Sequence, residues 1–161
     1  MSSVGTDSTQ LSVRPAVNAD VQAITEMVIR AKQSNGYDAT FMAACRQELT
    51  VTASDLSVGE HWVCEDESIV AYISWQANRE TDCVEVGSLF IDPNWQRQGV
   101  GCKLWQKVAQ QAQTLGLEHI RLDADPAAVP FYRAMGLTVI AQVPSGSIPG
   151  RLLPRMQLTL K

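Results

Sequence analysis

In the stretch "QRQGVGCKLWQKVAQQAQTLG", Gln96 to Gly116, a turn carrying two glycines runs directly into a helical repeat. Val100, Leu104, Val108, Ala112 and Leu115 recur at steps of four, four, four and three residues, which predicts an amphipathic helix with one apolar stripe against a sheet. Gly116 supplies its stop. At the other end, the first turn of such a helix exposes N–H groups with no intrahelical partner, and the helix dipole adds partial positive charge. Gly99 and Gly101 have no Cβ, so a phosphate can approach the backbone closely, with Arg97 or Lys103 adding charge. The chemistry offered is anion binding. The plainer alternative is a strand-to-helix turn that uses glycine for geometry only, and the pattern by itself favours it. "GVGCKL" lacks the Walker spacing, and Leu104 occupies the third glycine place of a dinucleotide fingerprint.

Other reactive residues are few. Cys45, Cys64, Cys83 and Cys102 lie at equal intervals of 19 residues, but their contexts share nothing else. There is no CxxC pair and there are 2 histidines, His61 and His119, so neither a zinc site nor a disulfide framework is expected and no metal is assigned. Cys102, at a helix N-terminus, could be reactive, but with no histidine near it in sequence a small packing residue is the simpler assignment.

The chain around these residues fits a single domain. Its 161 residues suffice to bury about 70% of the unfolded surface, and 45% hydrophobic with 19% charged residues is a globular composition. A net charge of −4 and a pI of about 5.1 leave no basic footprint for nucleic acid or an anionic membrane, and weakly favour cationic small molecules as partners. "MSSVGTDSTQLSV" lacks the basic-then-apolar pattern of a leader, and no apolar run approaches the roughly 20 residues of a membrane helix. A cytoplasmic location is the expectation. Residues 1–10 read as a loose segment and 11–161 as the domain.

Mixed α/β order is legible along that domain. A short strand is expected around Leu11 to Pro15, then a helix capped by Asn18 or Asp20 with Val21, Ile24, Met27, Val28 and Ala31 on one face, ended by "SNGY". Phe41, Cys45 and Leu49 mark a second helix, followed by a polar loop. "HWVCEDESIVAYISWQA" reads as two strands joined at Asp66 to Ser68, and "CVEVGSLFID" as a third. After the glycine turn and its helix come a strand "HIRLDA", a helix "PAAVPFYRAM" closed by Gly136, and strands around Leu137 to Val143 and Met156 to Leu160.

Set in this order, "LFIDPNWQRQGVG" resembles the acyl-CoA signature Q/R-x-x-G-x-G/A of the GNAT superfamily of N-acetyltransferases, met by Gln96, Gly99 and Gly101. "VRPAVNAD" resembles the family's first strand and helix start, and "DADPAAVPFYRAMGL" its later segment, so the likeness spans Val13 to Leu160. "SGSIPGR", within the loop before the last strand, is similar to a stretch in one subgroup of acetyltransferases and names no acceptor. The resemblance implies a twisted, mostly antiparallel mixed sheet flanked by helices. Its two central parallel strands, Val84 to Ile91 and His119 to Ala124, would splay apart to admit the pantetheine arm of acetyl-CoA. It further implies that backbone groups of Phe90 and Ile91 pair with pantetheine. The amides of Arg97, Gln98, Gly99, Val100, Gly101, Cys102 and Lys103 would hold the pyrophosphate, with Phe131 packing and able to line the cleft. A homodimer is compatible with the resemblance, and the acceptor is expected to be an amine of a small molecule or peptide.

The reaction so implied needs a base, because an alkyl ammonium has a pKa near 10, and a proton donor for the leaving thiolate. Tyr132 sits in "FYRAMG", where the family's general acid is found; the plainer alternative is a core tyrosine. Glu85 is the candidate base. By simple alternation it shares strand parity with Gly87, Leu89 and Ile91; the alternative is a solvated strand carboxylate. Asp125 replaces the Asn of many relatives and can instead cap the helix after Pro126. Arg151 or Arg155 could pair with a substrate carboxylate, or be surface arginines of the loop. Trp62, Tyr72 and Trp75 could line an acceptor cleft or simply pack. A module that binds acyl-CoA without catalysis would keep the glycine turn but could dispense with Tyr132.

Overall fold

Gly87 interrupts the strand sequence "CVEVGSLFI", and the architecture turns on that interruption. The computed structural model describes residues 11–160; the expected loose segment, 1–10, lies outside the described residues. The elements are β1 Ser12–Pro15, α1 Val21–Gln33, α2 Ala39–Leu49, α3 Ala53–Leu56, β2 Glu60–Glu65, β3 Ile69–Asn78 and β4 Cys83–Ile91. They continue with α4 Val100–Leu115, β5 His119–Asp123, α5 Val129–Ala134, β6 Thr138–Pro144 and β7 Leu152–Thr159.

These strands form one 7-stranded sheet in the order β1-β2-β3-β4-β5-β7-β6. β4 and β5 are parallel, and the other pairings are antiparallel. The mixed sheet with a central parallel pair is the expected one, and α4 makes the crossover between its two strands.

Side-chain alternation assigns each face its helices. Ala71, Ile73 and Trp75 of β3, Val84 and Val86 of β4, and Ile120 and Leu122 of β5 pack with Leu104, Val108 and Ala112 of α4. On the other face Tyr72 packs with Ile24, Met27 and Val28 of α1 and with Cys45 and Leu49 of α2. The apolar stripes read from sequence are therefore the buried ones, apart from Val21, Phe41 and Leu115, which stay half-buried.

Two elements differ from expectation. The polar loop after α2 contains α3, closed by a reciprocal cap in which Thr52 Oγ1 accepts from the Asp55 amide at 3.2 Å and Asp55 Oδ2 from the Thr52 amide at 2.9 Å. β7 begins at Leu152, not Met156, although Pro154 interrupts it. Proline removes a donor but keeps its acceptor, and the Pro154 carbonyl accepts from the Ala124 amide at 2.8 Å. Asp20, expected at the start of α1, closes the preceding turn by accepting from the Val17 amide at 2.8 Å.

Candidate active site

β4 pairs with β5 only from Cys83 to Val86, opposite His119 to Leu122. Beyond that point β5 stays with β7 while β4 stays with β3, from Ser88 opposite Ser74 to Ile91 opposite Ala71. The two parallel strands therefore splay, leaving the β4 edge from Gly87 onward facing a cleft. The register shows why the break falls there: Ser74 is opposite Ser88 and Trp75 is opposite Val86, so Gly87 is an unpaired extra residue, a β-bulge.

The bulge reverses the alternation expected for Glu85. Before it, Val84 and Val86 face α4; after it, Leu89 and Ile91 do so. Glu85 thus points to the opposite face, with Ser88 and Phe90, and not with Leu89 and Ile91 as simple parity predicts. The glycine inside a strand pattern was the available signal. On that face Glu85 Oε2 accepts from Arg121 Nη2 at 2.9 Å and from Asn78 Nδ2 at 3.2 Å.

The cleft at the splay has a volume of about 650 Å³. One wall is the end of β4, including Phe90 and Ile91; another is the turn into α4; the third is α5 with Phe131 and Tyr132. Within the turn, Asp92 accepts from the Asn94 amide at 2.9 Å and from Arg30 Nη2 at 2.7 Å, tying it to α1. Burial pushes the Asp92 carboxyl up, but Arg30 and the Asn94 amide together hold it below its ordinary value.

Arg97 (φ 66°) and Gly99 (φ 80°) are both left-handed, which folds the chain back before α4 and leaves the first-turn amides facing the cleft end. A side chain at Gly99 would meet nothing within 4 Å, so this glycine serves φ. Gly101 serves proximity: a Cβ there would stand 2.8 Å from Ile91 Cδ1 and 3.0 Å from Phe131 Cζ. Gln96, Arg97, Gly99, Val100, Gly101 and Cys102 all border the cleft, whereas Gln98 and Lys103 lie off its lining. Cys102 is exposed, with Met135 Sδ at 3.9 Å as its polar neighbour.

Tyr132 is 6% exposed, edge-on to Phe131 at 5.2 Å and tilted against Trp105 at 6.2 Å. Among the described residues its hydroxyl has no hydrogen-bond partner in the protein, and it borders the cleft. Burial, and secondarily the Asp125 carboxylate, raise its pKa well above the ordinary tyrosine value, so the phenol keeps its proton at neutral pH.

Asp125 caps the turn before α5, accepting from the Ala127 amide at 2.9 Å, as the sequence suggested. It also joins a cluster that sequence did not reveal. Lys32 Nζ of α1 pairs with it at 2.5 Å, the Tyr37 hydroxyl donates to it at 2.9 Å, and Arg151 Nη2 lies 2.7 Å from that hydroxyl. Arg151 stacks over Phe41 at 4.9 Å, so the "SGSIPGR" loop is fastened across α1 and α2 with its arginine already engaged. Arg155 is engaged too, pairing with Asp123 at 2.8 Å across the sheet.

A second cavity of about 650 Å³ opens on the α1 and α2 face, lined among others by Glu48, Asp55, His61, Tyr72, Glu85 and Arg121. It shares Gly87, Ser88 and Asp123 with the cleft, so the two meet at the bulge. Tyr72 and Trp75 both line this cavity; Trp75 also stacks on Trp62 at 6.5 Å, and the two tryptophans pack in the core on the α4 side.

Residues 28–160 match the family model described as an acetyltransferase (GNAT) domain, which spans the cleft, the turn and α5. The chain belongs to the GNAT acetyltransferase family. Solved structures agree in fold. The GNAT chain superposes on the PaiA N-acetyltransferase of Thermoplasma acidophilum, a coenzyme A complex, with a TM-score of 0.75 at 13% identity, over 92% of this chain and 98% of that one. YncA of Salmonella typhimurium, with its cofactor acetyl-CoA, is similar at 25% identity and a TM-score of 0.64, over 94% of each chain. The ribosomal-protein-S18-alanine N-acetyltransferase of Escherichia coli gives 17% identity and a TM-score of 0.65, over 93% of this chain and 94% of that one. No curated protein matches this GNAT domain in sequence. Among its described residues no helix is long and apolar enough to cross a membrane, and no group of three or more His, Cys, Asp or Glu could hold a metal ion.

Proposed function

We propose that this GNAT enzyme transfers the acetyl group of acetyl-CoA to a primary amine of a small molecule or peptide, by direct attack while both substrates are bound. The observation that carries the reading is the placement of a buried, protonated, unpartnered phenol beside an unpaired strand edge that points toward open helix amides. The residues present fit coenzyme A. The β4 edge from Gly87 to Ile91 offers backbone groups to an extended amide chain as a strand would, and the turn from Arg97 to Cys102 offers amides to a diphosphate.

The amine enters from the second cavity and meets the thioester carbonyl at the bulge, where the cavities join. Tyr132 donates its proton to the departing thiolate without placing a new charge in the cleft. That role favours catalysis over mere cofactor binding, since a packing role alone would be filled by phenylalanine. Glu85 lines the acceptor cavity, where its Oε2 is already engaged, accepting from Arg121 Nη2 and Asn78 Nδ2. In this reading it holds Arg121 and shapes the cavity.

Free thiol release from acetyl-CoA, measured across a panel of amines, tests the proposal. At least one primary amine is expected to give saturable turnover with mass gain on nitrogen. Thiol release that no amine accelerates over the solvent rate overturns it.

A further inference from the structure

With Glu85 bound to Arg121, the amine's proton needs another destination, and the inference rests on the acetyl-transfer reading above. We infer that Tyr72 and His61 form the relay that takes this proton. Both side chains lie on the wall of the acceptor cavity. Tyr72 of β3 is directly opposite Phe90, and the next residue on its face, Ser74, is opposite Ser88, so the phenol stands over the same face as the junction of the two cavities.

The hydrogen bonds fix the direction of transfer. His61 Nε2 lies 2.8 Å from the Val58 carbonyl, which can only accept, so Nε2 carries the hydrogen. In the neutral ring Nδ1 is then the acceptor, and it receives the Tyr72 hydroxyl at 2.8 Å. When His61 takes a proton on Nδ1, both ring N–H groups already have acceptors, Val58 O and Tyr72 Oη. No rearrangement is needed to hold the imidazolium. Burial holds Tyr72 up at about 12, so the phenol passes a proton along without ionising at neutral pH. The charged groups that line the cavity with the pair are Glu48 from α2, Asp55 from α3, and Glu85, Arg121, Asp123 and Arg155 from the sheet.

The step balances as R–NH3+ plus acetyl-S-CoA giving R–NH–acetyl, CoA-SH and one proton. The amine's first proton passes through Tyr72 to His61, the free amine forms the C–N bond, and the C–S bond breaks. The thiolate takes the Tyr132 proton. The second nitrogen proton restores Tyr132, and His61 releases its own to solvent.

The test is kcat/KM against pH for the wild type, His61→Gln, Tyr72→Phe and Glu85→Gln, with acetyl-CoA affinity measured alongside. The wild-type profile is expected to rise with pH through one inflection as the relay's acceptor loses its proton. His61→Gln and Tyr72→Phe lose that inflection and about 100-fold in kcat/KM, with acetyl-CoA affinity unchanged. Glu85→Gln keeps the inflection. If His61→Gln keeps it as well, with its rate, the relay is wrong while acetyl transfer stands; if the wild type acetylates no amine at all, the acetyl-transfer reading fails and takes the relay with it.

Discussion

Tyr132→Phe lowers kcat by about 100- to 1,000-fold while leaving the affinity for acetyl-CoA unchanged, in steady-state thiol release paired with calorimetry. The substitution removes one oxygen. The ring contacts with Phe131 and Trp105 survive, and because the hydroxyl has no protein partner among the described residues, nothing else is left unsatisfied. A structural tyrosine would show the opposite pattern, a change in stability with little change in rate. The magnitude follows from what a positioned acid contributes when the leaving group otherwise departs as a bare thiolate into an apolar cleft. Undiminished turnover removes Tyr132 from the mechanism.

Asp125→Ala destabilises the fold by about 3 kcal/mol in equilibrium denaturation, because it leaves a largely buried ammonium without its counter-charge. Asp125 and Lys32 are 14% and 11% exposed at their side chains, and the same carboxylate caps the turn before α5 and accepts from Tyr37. Asp125→Asn retains the cap and the Tyr37 partner and loses less. Acidity reports the same pair. Burial alone would raise the Asp125 carboxyl, but Lys32, the Ala127 amide and Tyr37 together hold it below its ordinary value. A depressed folded-state pKa adds stability that is complete above the unfolded value of about 3.9 and is lost as pH falls through the folded one. Wild-type stability should therefore decline on acidification below about pH 4, and more steeply than in Asp125→Ala. Asp20 and Asp92, also held low, keep a residual slope in both. Equal acid slopes in the two proteins contradict the assignment.

What the sequence made legible was whatever local pattern controls. The α4 stripe, the glycine turn and the position of "FYRAMG" needed only periodicity, turn chemistry and a family resemblance. Pairing across distance was hidden. Lys32 and Tyr37, Asp125, and Arg151 come from three widely separated stretches, and no local pattern links them. Glu85 departs from simple parity for a subtler reason: alternation holds only while both strands advance in step, and the unpaired Gly87 shifts every later residue to the other face. The same bulge splays β4 from β5, so one residue both opens the cleft and decides which side chains line each cavity. His61 and Tyr72, 11 apart in sequence, meet because β2 and β3 form a hairpin, bringing His61 opposite Ser74.

Titration calorimetry of coenzyme A and acetyl-CoA into the purified protein addresses the cleft itself. Saturable heat with one site per chain is the predicted result, weakened when Gly101→Val drives a side chain into Ile91 and Phe131. Absence of any heat with either ligand, from a folded wild-type protein, contradicts the account at its root.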